Sequence, residues 1–206
     1  GELRLGVQLL RAGAALDARG GGAGAERRAP SPLELIGELL RPYQRDAGLL
    51  YAWGEGHNFQ LGEASVAGRV ARPSRVAELP GTVRVVASAK LWTAVATAEG
   101  EAWSAGFGVG GRLGQGSERS RAAFARVAGL DNVRVSALAV SDDHAVALSA
   151  TGGAYTWGAN GAGQLGHGAT GEEAVLVPRR VAELRRVRVA AAAAGMAAPS
   201  PRSLPC

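Results

Sequence analysis

The chain has 206 residues, of which 47% are hydrophobic, 20% charged and 5% aromatic, and its formal net charge is +5. This length predicts one or two domains with a buried core, and the apolar fraction excludes a wholly disordered chain. No apolar run reaches the roughly 18 residues of a membrane-spanning helix, and the single cysteine, Cys206, excludes a disulfide framework and a cysteine-based zinc cluster.

The first 48 residues predict helices with an insertion between them. Residues 1–19 place apolar side chains at helical spacing and break at Gly13. Residues 20–30 (GGGAGAERRAP) predict a flexible insertion, and residues 31–40 predict a second helix that opens with a serine N-cap and a proline. An apolar helix followed by Gly-Ala-x-x-Asp-Ala resembles an ankyrin repeat. The resemblance implies a partial α-helical ankyrin segment over residues 1–48.

Residues 49–190 contain three copies of a repeat with a period of 52 residues. The aligned segments read YAWGEGHNFQLG, WSAGFGVGGRLG and YTWGANGAGQLG, so an aromatic residue, a Trp-Gly pair and a Leu-Gly pair recur at one offset. Ala105 stands in the tryptophan position of the second copy. The predicted structural repeat positions are Tyr51, Trp53, Gly54, Leu61, Gly62, Trp103, Gly106, Leu113, Gly114, His144, Tyr155, Trp157, Gly158, Leu165 and Gly166.

Each copy of the repeat predicts about four short strands. Besides the aromatic segment, each copy has an Arg-Val pair and an apolar run that ends at a glycine turn. It also has an alternating segment, which we align as Val83-x-Val85, Val133-x-Val135 and Val187-x-Val189. Four short strands are the content of a propeller blade, with the aromatic and leucine positions filling the layers between blades. The predicted fold is mainly β, an incomplete β-propeller of about three four-stranded blades after a partial helical segment.

Two resemblances extend this prediction. Residues 155–168 (YTWGANGAGQLGHG) resemble the regulator-of-chromosome-condensation repeat. Ankyrin-like residues running directly into such repeats, with the sequences of residues 58–62 and 110–114, resemble the inhibitor of Bruton tyrosine kinase family. The second resemblance implies an adaptor whose partners are kinase or ubiquitin-ligase components, with BTB domains in longer members.

Two motifs resemble functional sites, and we interpret both as parts of the β framework. Residues 106–111 satisfy G-x-G-x-x-G, but the Arg-Leu-Gly that follows cannot open the helix that a dinucleotide site requires. In the sequence Ser-Asp-Asp-His at 141–144, alternation along a strand predicts that Asp143 and His144 point to opposite faces. Trp92 occupies the His144 position one repeat earlier, which favours a structural histidine bonded to neighbouring backbone. No catalytic residue, metal ligand or cofactor is predicted.

The prediction for function is a non-enzymatic protein-interaction scaffold in the cytoplasm, with the nucleus as a second location. The alternative is a nucleotide-exchange or chromatin-associated regulator of a small GTPase. Other proteins are the expected partners, and nucleic acid is disfavoured because Lys90 is the single lysine and the arginines are scattered. Residues 191–206 predict a disordered or truncated tail. Since closure takes at least about four blades, we expect a fragment with exposed sheet edges that associates in solution.

Overall fold

In the computed structural model, residues 48–63, 68–77, 79–168, 170 and 172–195 are described, and they are organised almost entirely as β-strands. In this part of the chain, the helical content is limited to a 3-10 turn at Val109–Gly111. The strands are β1 Tyr51–Glu55, β2 Arg69–Arg75, β3 Val83–Ser88, β4 Trp92–Thr97, β5 Ala102–Gly106, β6 Arg121–Arg126, β7 Val135–Val140, β8 His144–Ser149, β9 Ala154–Asn160 and β10 Glu172–Arg180. The mainly β prediction is confirmed, whereas the predicted ankyrin helices and most of the predicted tail lie outside the described residues.

The strands pair in three antiparallel sheets. Strands β3-β4-β5-β6 form one four-stranded sheet, the first blade, and β7-β8-β9-β10 form another, the second blade. Strands β1 and β2 form a two-stranded sheet, the half-blade. It corresponds to the outer half of a blade because β1 carries the same repeat segment as β5 and β9. The described residues therefore hold two whole blades and half of another, where three four-stranded blades were predicted.

The blades are shifted by half a repeat from the sequence copies. Each copy supplies the last two strands of one blade and the first two strands of the next. The third copy lacks its final strands in the described chain, since Val187-x-Val189, predicted as a strand, lies in a bend and the irregular chain after it. The valine alignment was also wrong by two positions. Val83 opens β3 and Val135 opens β7, whereas the Val133 N–H is bonded to the Leu130 carbonyl in the preceding turn.

A repeated backbone hydrogen bond ties each blade to the next. The Gly48 carbonyl accepts the N–H of Val83 at 2.7 Å, and the Gly100 carbonyl accepts the N–H of Val135 at 2.9 Å. These bonds cross from the half-blade to the first blade and from the first blade to the second. Gly100 has φ +91°, and a side chain there would collide with Arg134. The glycine therefore permits the close approach of two blades at this turn.

Two hydrophobic layers lie between the blades, as the aromatic and leucine spacing predicted. The first layer packs the half-blade on the first blade and includes Leu61, Ala105 and Phe124. The second packs the first blade on the second and includes Leu113 and Trp157. A third, smaller cluster of Leu148, Ala154 and Val181 lies on the far side of the second blade. Most of the buried apolar surface is thus shared between adjacent blades.

Phe124 compensates for the tryptophan that the second repeat lacks. In the second layer, Trp157 packs against Gly114, where an added Cβ would lie 2.7 Å from the indole nitrogen. In the first layer the equivalent position is Ala105, and a Cβ on the equivalent glycine, Gly62, would overlap the ring of Phe124. The phenyl ring of β6 therefore fills the space that an indole on β5 would otherwise occupy.

We expect Phe124→Ala to lower the free energy of unfolding by about 3–5 kcal/mol, because it leaves a cavity between the half-blade and the first blade. The double variant Phe124→Ala with Ala105→Trp is expected to regain a large part of that loss. Urea denaturation of the full chain measures both, with the exposed Val109→Ala as a control that changes stability by about 0.5 kcal/mol or less. A double variant no more stable than Phe124→Ala alone would contradict the compensation.

Candidate functional site

The polar residues that most resemble a site lie at one end of the blades, where the two whole blades meet. Because the strands alternate in direction, the β3–β4, β5–β6, β7–β8 and β9–β10 connections share this end, which we call the long-loop end. The β4–β5, β6–β7 and β8–β9 connections lie at the opposite, short-turn end. At the long-loop end the turn at residues 141–144 adjoins Trp92 and Arg112 of the first blade.

His144 is bound by two side chains of its own turn. Its Nδ1 lies 2.6 Å from the Ser141 hydroxyl and 2.9 Å from Asp143 Oδ1, and the residue is only 5% exposed. The prediction that Asp143 and His144 point apart was therefore wrong, because β8 begins at His144 and Asp143 belongs to the turn, where strand alternation does not apply. The prediction that the ring is bonded to neighbouring backbone was also wrong, since His144 Nδ1 is bonded to two side chains.

This arrangement lacks the geometry of a catalytic relay. In a Ser–His–Asp relay the serine and the carboxylate contact different ring nitrogens, so that a proton can pass across the imidazole. Here Ser141 and Asp143 both contact Nδ1. The Ser141 hydroxyl also accepts the backbone N–H of His144 at 3.2 Å. The three side chains therefore stabilise a tight turn.

Trp92 occupies the His144 position in the first blade, and it contacts the neighbouring blade. Its side chain is fully buried, and its Nε1–H donates to the Ser141 carbonyl at 2.8 Å. The indole therefore joins the first blade to the turn that His144 stabilises in the second. One repeat position thus serves once as a contact between blades and once as a support within a turn.

Arg112 makes a further polar contact between the two blades. Its Nη1–H donates to the Asp142 carbonyl, and its guanidinium lies 5.1 Å from the centre of the Phe107 ring. Its own carbonyl accepts the Trp157 Nε1–H at 2.8 Å. Partial burial lowers the pKa of the Arg112 guanidinium, and the nearby carboxylates of Asp143 and Asp142 oppose that shift. Arg112 therefore anchors the β5–β6 loop to the second blade.

Arg112→Lys is expected to lower the free energy of unfolding by about 1–2 kcal/mol, since an ammonium cannot reproduce the directed N–H bonds of the planar guanidinium. Thermal denaturation of the full chain checks this. Arg119→Lys, on an exposed side chain of the same loop, is the matched control and should change stability by about 0.5 kcal/mol or less. Equal effects of the two substitutions would show that Arg112 does not couple the blades.

The G-x-G-x-x-G sequence forms the loop after β5. Residues 106–111 run from the strand end into the 3-10 turn, and the residues that follow continue as turns, bends and irregular chain up to β6. Gly106 packs against Trp92, where an added Cβ would lie 2.6 Å from the tryptophan Cα. A dinucleotide site would need a helix N-terminus here, so the structure places these glycines in a blade connection.

The repeat columns occupy matching places in the three sheets. The leucines of the Leu-Gly pairs, Leu61, Leu113 and Leu165, are all buried. The first aromatic column, comprising Tyr51, Trp103 and Tyr155, is half-buried, as is Trp53. The glycines of both columns have positive φ, namely Gly54, Gly62, Gly106, Gly114, Gly158 and Gly166.

One loop residue departs from its repeat column and escaped the sequence analysis. Phe59 has φ +63°, a conformation in which the equivalent positions carry Gly111 and Gly163. Its side chain, in the β1–β2 loop, is 38% exposed. Placing the three loops in register would have shown an aromatic residue where the other two have glycine. The long-loop end therefore presents an exposed aromatic side chain on a strained backbone.

The described residues show neither a cluster of metal-ligating side chains nor a membrane-spanning helix. Within the described ranges, histidine, cysteine and carboxylate side chains nowhere gather in groups of three or more that could hold a metal ion. No helix in the same ranges is long and apolar enough to cross a bilayer. An open cavity of about 330 Å³ lies at the short-turn end, and its lining includes Glu99, Glu101, Arg126 and Asp131.

Comparison with known proteins finds similar repeats. Residues 135–164 and 151–197 match models of the Regulator of chromosome condensation (RCC1) repeat. The chain is 33% identical over 152 residues to the human E3 ubiquitin-protein ligase HERC2, covering 72% of this chain and 3% of HERC2. It is 32% identical over 149 residues to the Arabidopsis thaliana ultraviolet-B receptor UVR8, covering 71% of this chain and 33% of the receptor. The chain thus spans a third or less of these relatives.

Solved structures show the same architecture. The crystal structure of human WBSCR16 superposes with a TM-score of 0.63 at 27% identity, covering 71% of this chain and 38% of that one. Prp20p from Saccharomyces cerevisiae superposes with a TM-score of 0.58 at 22% identity, covering 65% and 34%. The sheets therefore resemble the propeller blades of these proteins, while the resemblance to ankyrin repeats and to the inhibitor of Bruton tyrosine kinase family stays a prediction.

Proposed function

We propose that this chain, an RCC1-type repeat protein, acts as a non-enzymatic protein-interaction scaffold. The observation that carries the proposal is that the polar side chains of the His144 turn are bonded to one another. This group of residues most resembles a catalytic site in the described chain, yet its hydroxyl, carboxylate and imidazole are bonded to one another within a turn. What the blades present to solvent instead is a row of loops at each end. Loops on a rigid β-framework are a common form of protein-binding surface.

The contacts between blades supply the rigidity that such a surface needs. Backbone bonds from Gly48 and Gly100 and the buried indoles of Trp92 and Trp157 fix neighbouring blades against each other. Loops that start from fixed strands lose little further entropy when a partner binds. This supports a role in which the chain holds partner proteins in a set arrangement.

The relatives favour particular partner classes. HERC2 is named as a ubiquitin ligase, and the shared repeats make up only 3% of it, so we propose that the repeats correspond to an accessory, binding part. Kinase or ubiquitin-ligase components are the partners that we propose for this chain, in the cytoplasm or the nucleus. The second candidate is a regulator of a small GTPase. It is favoured by the similarity in fold to Prp20p, whose structure is described with its binding to Gsp1p and histones.

Crosslinking in cells followed by reconstitution tests the scaffold proposal. The full chain and its Leu113→Asp variant, in which a charge is buried between two blades, are expressed and crosslinked, and each recovered protein is then titrated against the purified chain. We expect partners that bind the folded chain with defined stoichiometry, are lost with Leu113→Asp and are released chemically unchanged. If Leu113→Asp recovers the same partners in the same amounts as the parent chain, the proposal is contradicted. Faster nucleotide release from a small GTPase would favour the second candidate.

A further inference from the structure

An arginine recurs at the end of the outer strand of every sheet. Arg75 in β2, Arg126 in β6 and Arg180 in β10 are all exposed at the short-turn end. Each is paired in register with the first aromatic column of its sheet, so that Trp103 faces Arg126 and Tyr155 faces Arg180. The backbone therefore presents the three guanidinium groups in equivalent settings, and differences in their partners come from neighbouring side chains.

The first blade supplies carboxylates to its own arginine. Arg126 Nη2 lies 3.2 Å from Glu101 Oε1, and Arg126 Nη1 lies 3.0 Å from Asp131 Oδ1. In the second blade the corresponding residues are Gly153 and Arg185, as the equivalent hydrogen bonds of the two turns show. The same repeat position thus changes from an arginine held by two carboxylates to an arginine beside a second arginine.

Arg180 consequently has little of the bonding that Arg126 has. Its Nη2–H donates to the Arg185 carbonyl at 3.4 Å, and across the described ranges it forms no salt bridge. A guanidinium has five N–H donors arranged to bind carboxylates in pairs. Because the Arg180 side chain is exposed, its remaining donors are accessible to a partner.

Exposed arginines are concentrated in the segment around Arg180, and we call this group of residues the arginine patch. It consists of exposed side chains within ten residues of sequence, namely Arg179, Arg180, Arg185, Arg186 and Arg188. Glu183 is the acidic residue in the same segment. Val187 lies among these arginines and is 54% exposed. The patch therefore combines several unneutralised cations with an apolar side chain.

We propose that the arginine patch binds an acidic segment of a partner protein, in which Asp or Glu side chains flank an apolar residue. The inference rests on the proposed scaffold function and names the partner chemistry at one surface. The partner's carboxylates would take, at Arg180 and Arg185, the places that Glu101 and Asp131 take around Arg126. Its apolar residue would cover Val187. A nucleic acid is disfavoured as the occupant, because the patch residues include no aromatic side chain for stacking on bases.

Fluorescence anisotropy of a labelled peptide with repeated Glu-Leu-Glu units, titrated with the full chain, tests this proposal. We expect binding that weakens as salt is raised and that falls by about tenfold or more in the double variant Arg180→Glu with Arg185→Glu. The double variant Arg186→Glu with Arg188→Glu should also weaken binding. Since it alters no hydrogen bond within the described chain, its loss of affinity cannot be attributed to misfolding of the kind that the first pair could cause. The matched control, Arg119→Glu with Arg121→Glu, makes the same charge change at the long-loop end and should leave the affinity within about twofold, since distant exposed charges are screened.

Three outcomes would overturn the inference. They are equal losses in the patch and control variants, equal affinity for a Gln-Leu-Gln peptide, and tighter binding of duplex DNA than of the acidic peptide. Partners recovered by crosslinking provide a separate test. If they bind the patch variants as well as they bind the parent chain, the assignment of this surface fails while the scaffold function stands.

Discussion

Replacing Trp157 with alanine is expected to lower the free energy of unfolding by about 3–5 kcal/mol, the cost of truncating a large core side chain. The indole is 0% exposed and lies in the layer between the first and second blades. Its Nε1–H also donates to the Arg112 carbonyl at 2.8 Å, and losing this partly buried hydrogen bond adds about 0.5–1.5 kcal/mol. The loss should therefore fall in the upper part of the range.

Urea denaturation of the full chain measures this loss, and Trp53→Ala is the matched control. Trp53 holds the same repeat column in β1 but is only half-buried, so its truncation leaves a smaller cavity and should cost less. Equal effects at the two positions would contradict the view that buried area between blades sets the stability. A change of about 1 kcal/mol or less at Trp157 would contradict it as well.

The second large effect is expected at Gly114. An alanine there must adopt φ +68°, which costs about 1–2 kcal/mol, and its Cβ would lie 2.7 Å from Trp157 Nε1, which adds an overpacking cost of about 1–3 kcal/mol. Gly166 has the same conformation, φ +70°, but its Cβ would lie 3.7 Å from the nearest atom, Val181 Cγ1. We therefore expect Gly166→Ala to show the backbone cost alone, and Gly114→Ala to be the more destabilising of the two.

Thermal unfolding of both glycine variants separates backbone strain from packing, because the two positions share one column and differ in what lies next to them. Gly114→Ala combined with Trp157→Ala should cost less than the sum of the single effects, since removing the indole also removes the collision. Additive losses, or equal losses at Gly114 and Gly166, would show that Gly114 is not constrained by the neighbouring blade.

The repeat columns predicted the secondary structure well, because strands and turns depend on residues close in sequence. Alternating apolar residues and turn glycines indicated short strands, and the structure places strands at nearly all of those segments in the first two copies. What the columns could not predict was how the strands divide into sheets. The half-repeat shift arises because β3 and β7 pair with the strands that follow them, a choice governed by tertiary packing.

The polar site was harder to predict for a related reason. Strand alternation gave the wrong orientation for Asp143, because the residue lies in a turn whose geometry is fixed by the Ser141 hydroxyl. The compensation by Phe124 and the contrast between Arg126 and Arg180 required residues from different strands to be compared in three dimensions. An alignment of the Arg-Val pairs alone shows three equivalent arginines. Only the structure shows that Glu101 and Asp131 neutralise one of them.

Hydrogen–deuterium exchange, followed by mass spectrometry of the full chain with and without a partner recovered by crosslinking, tests the central claim most directly. The claim is that the chain binds proteins through loops at the ends of its blades and leaves them chemically unchanged. We predict slower exchange in those loops, little change in the central strands β4 and β8, and a constant partner mass. A partner mass that changes with time, or binding without added protection in any described loop, would contradict the account.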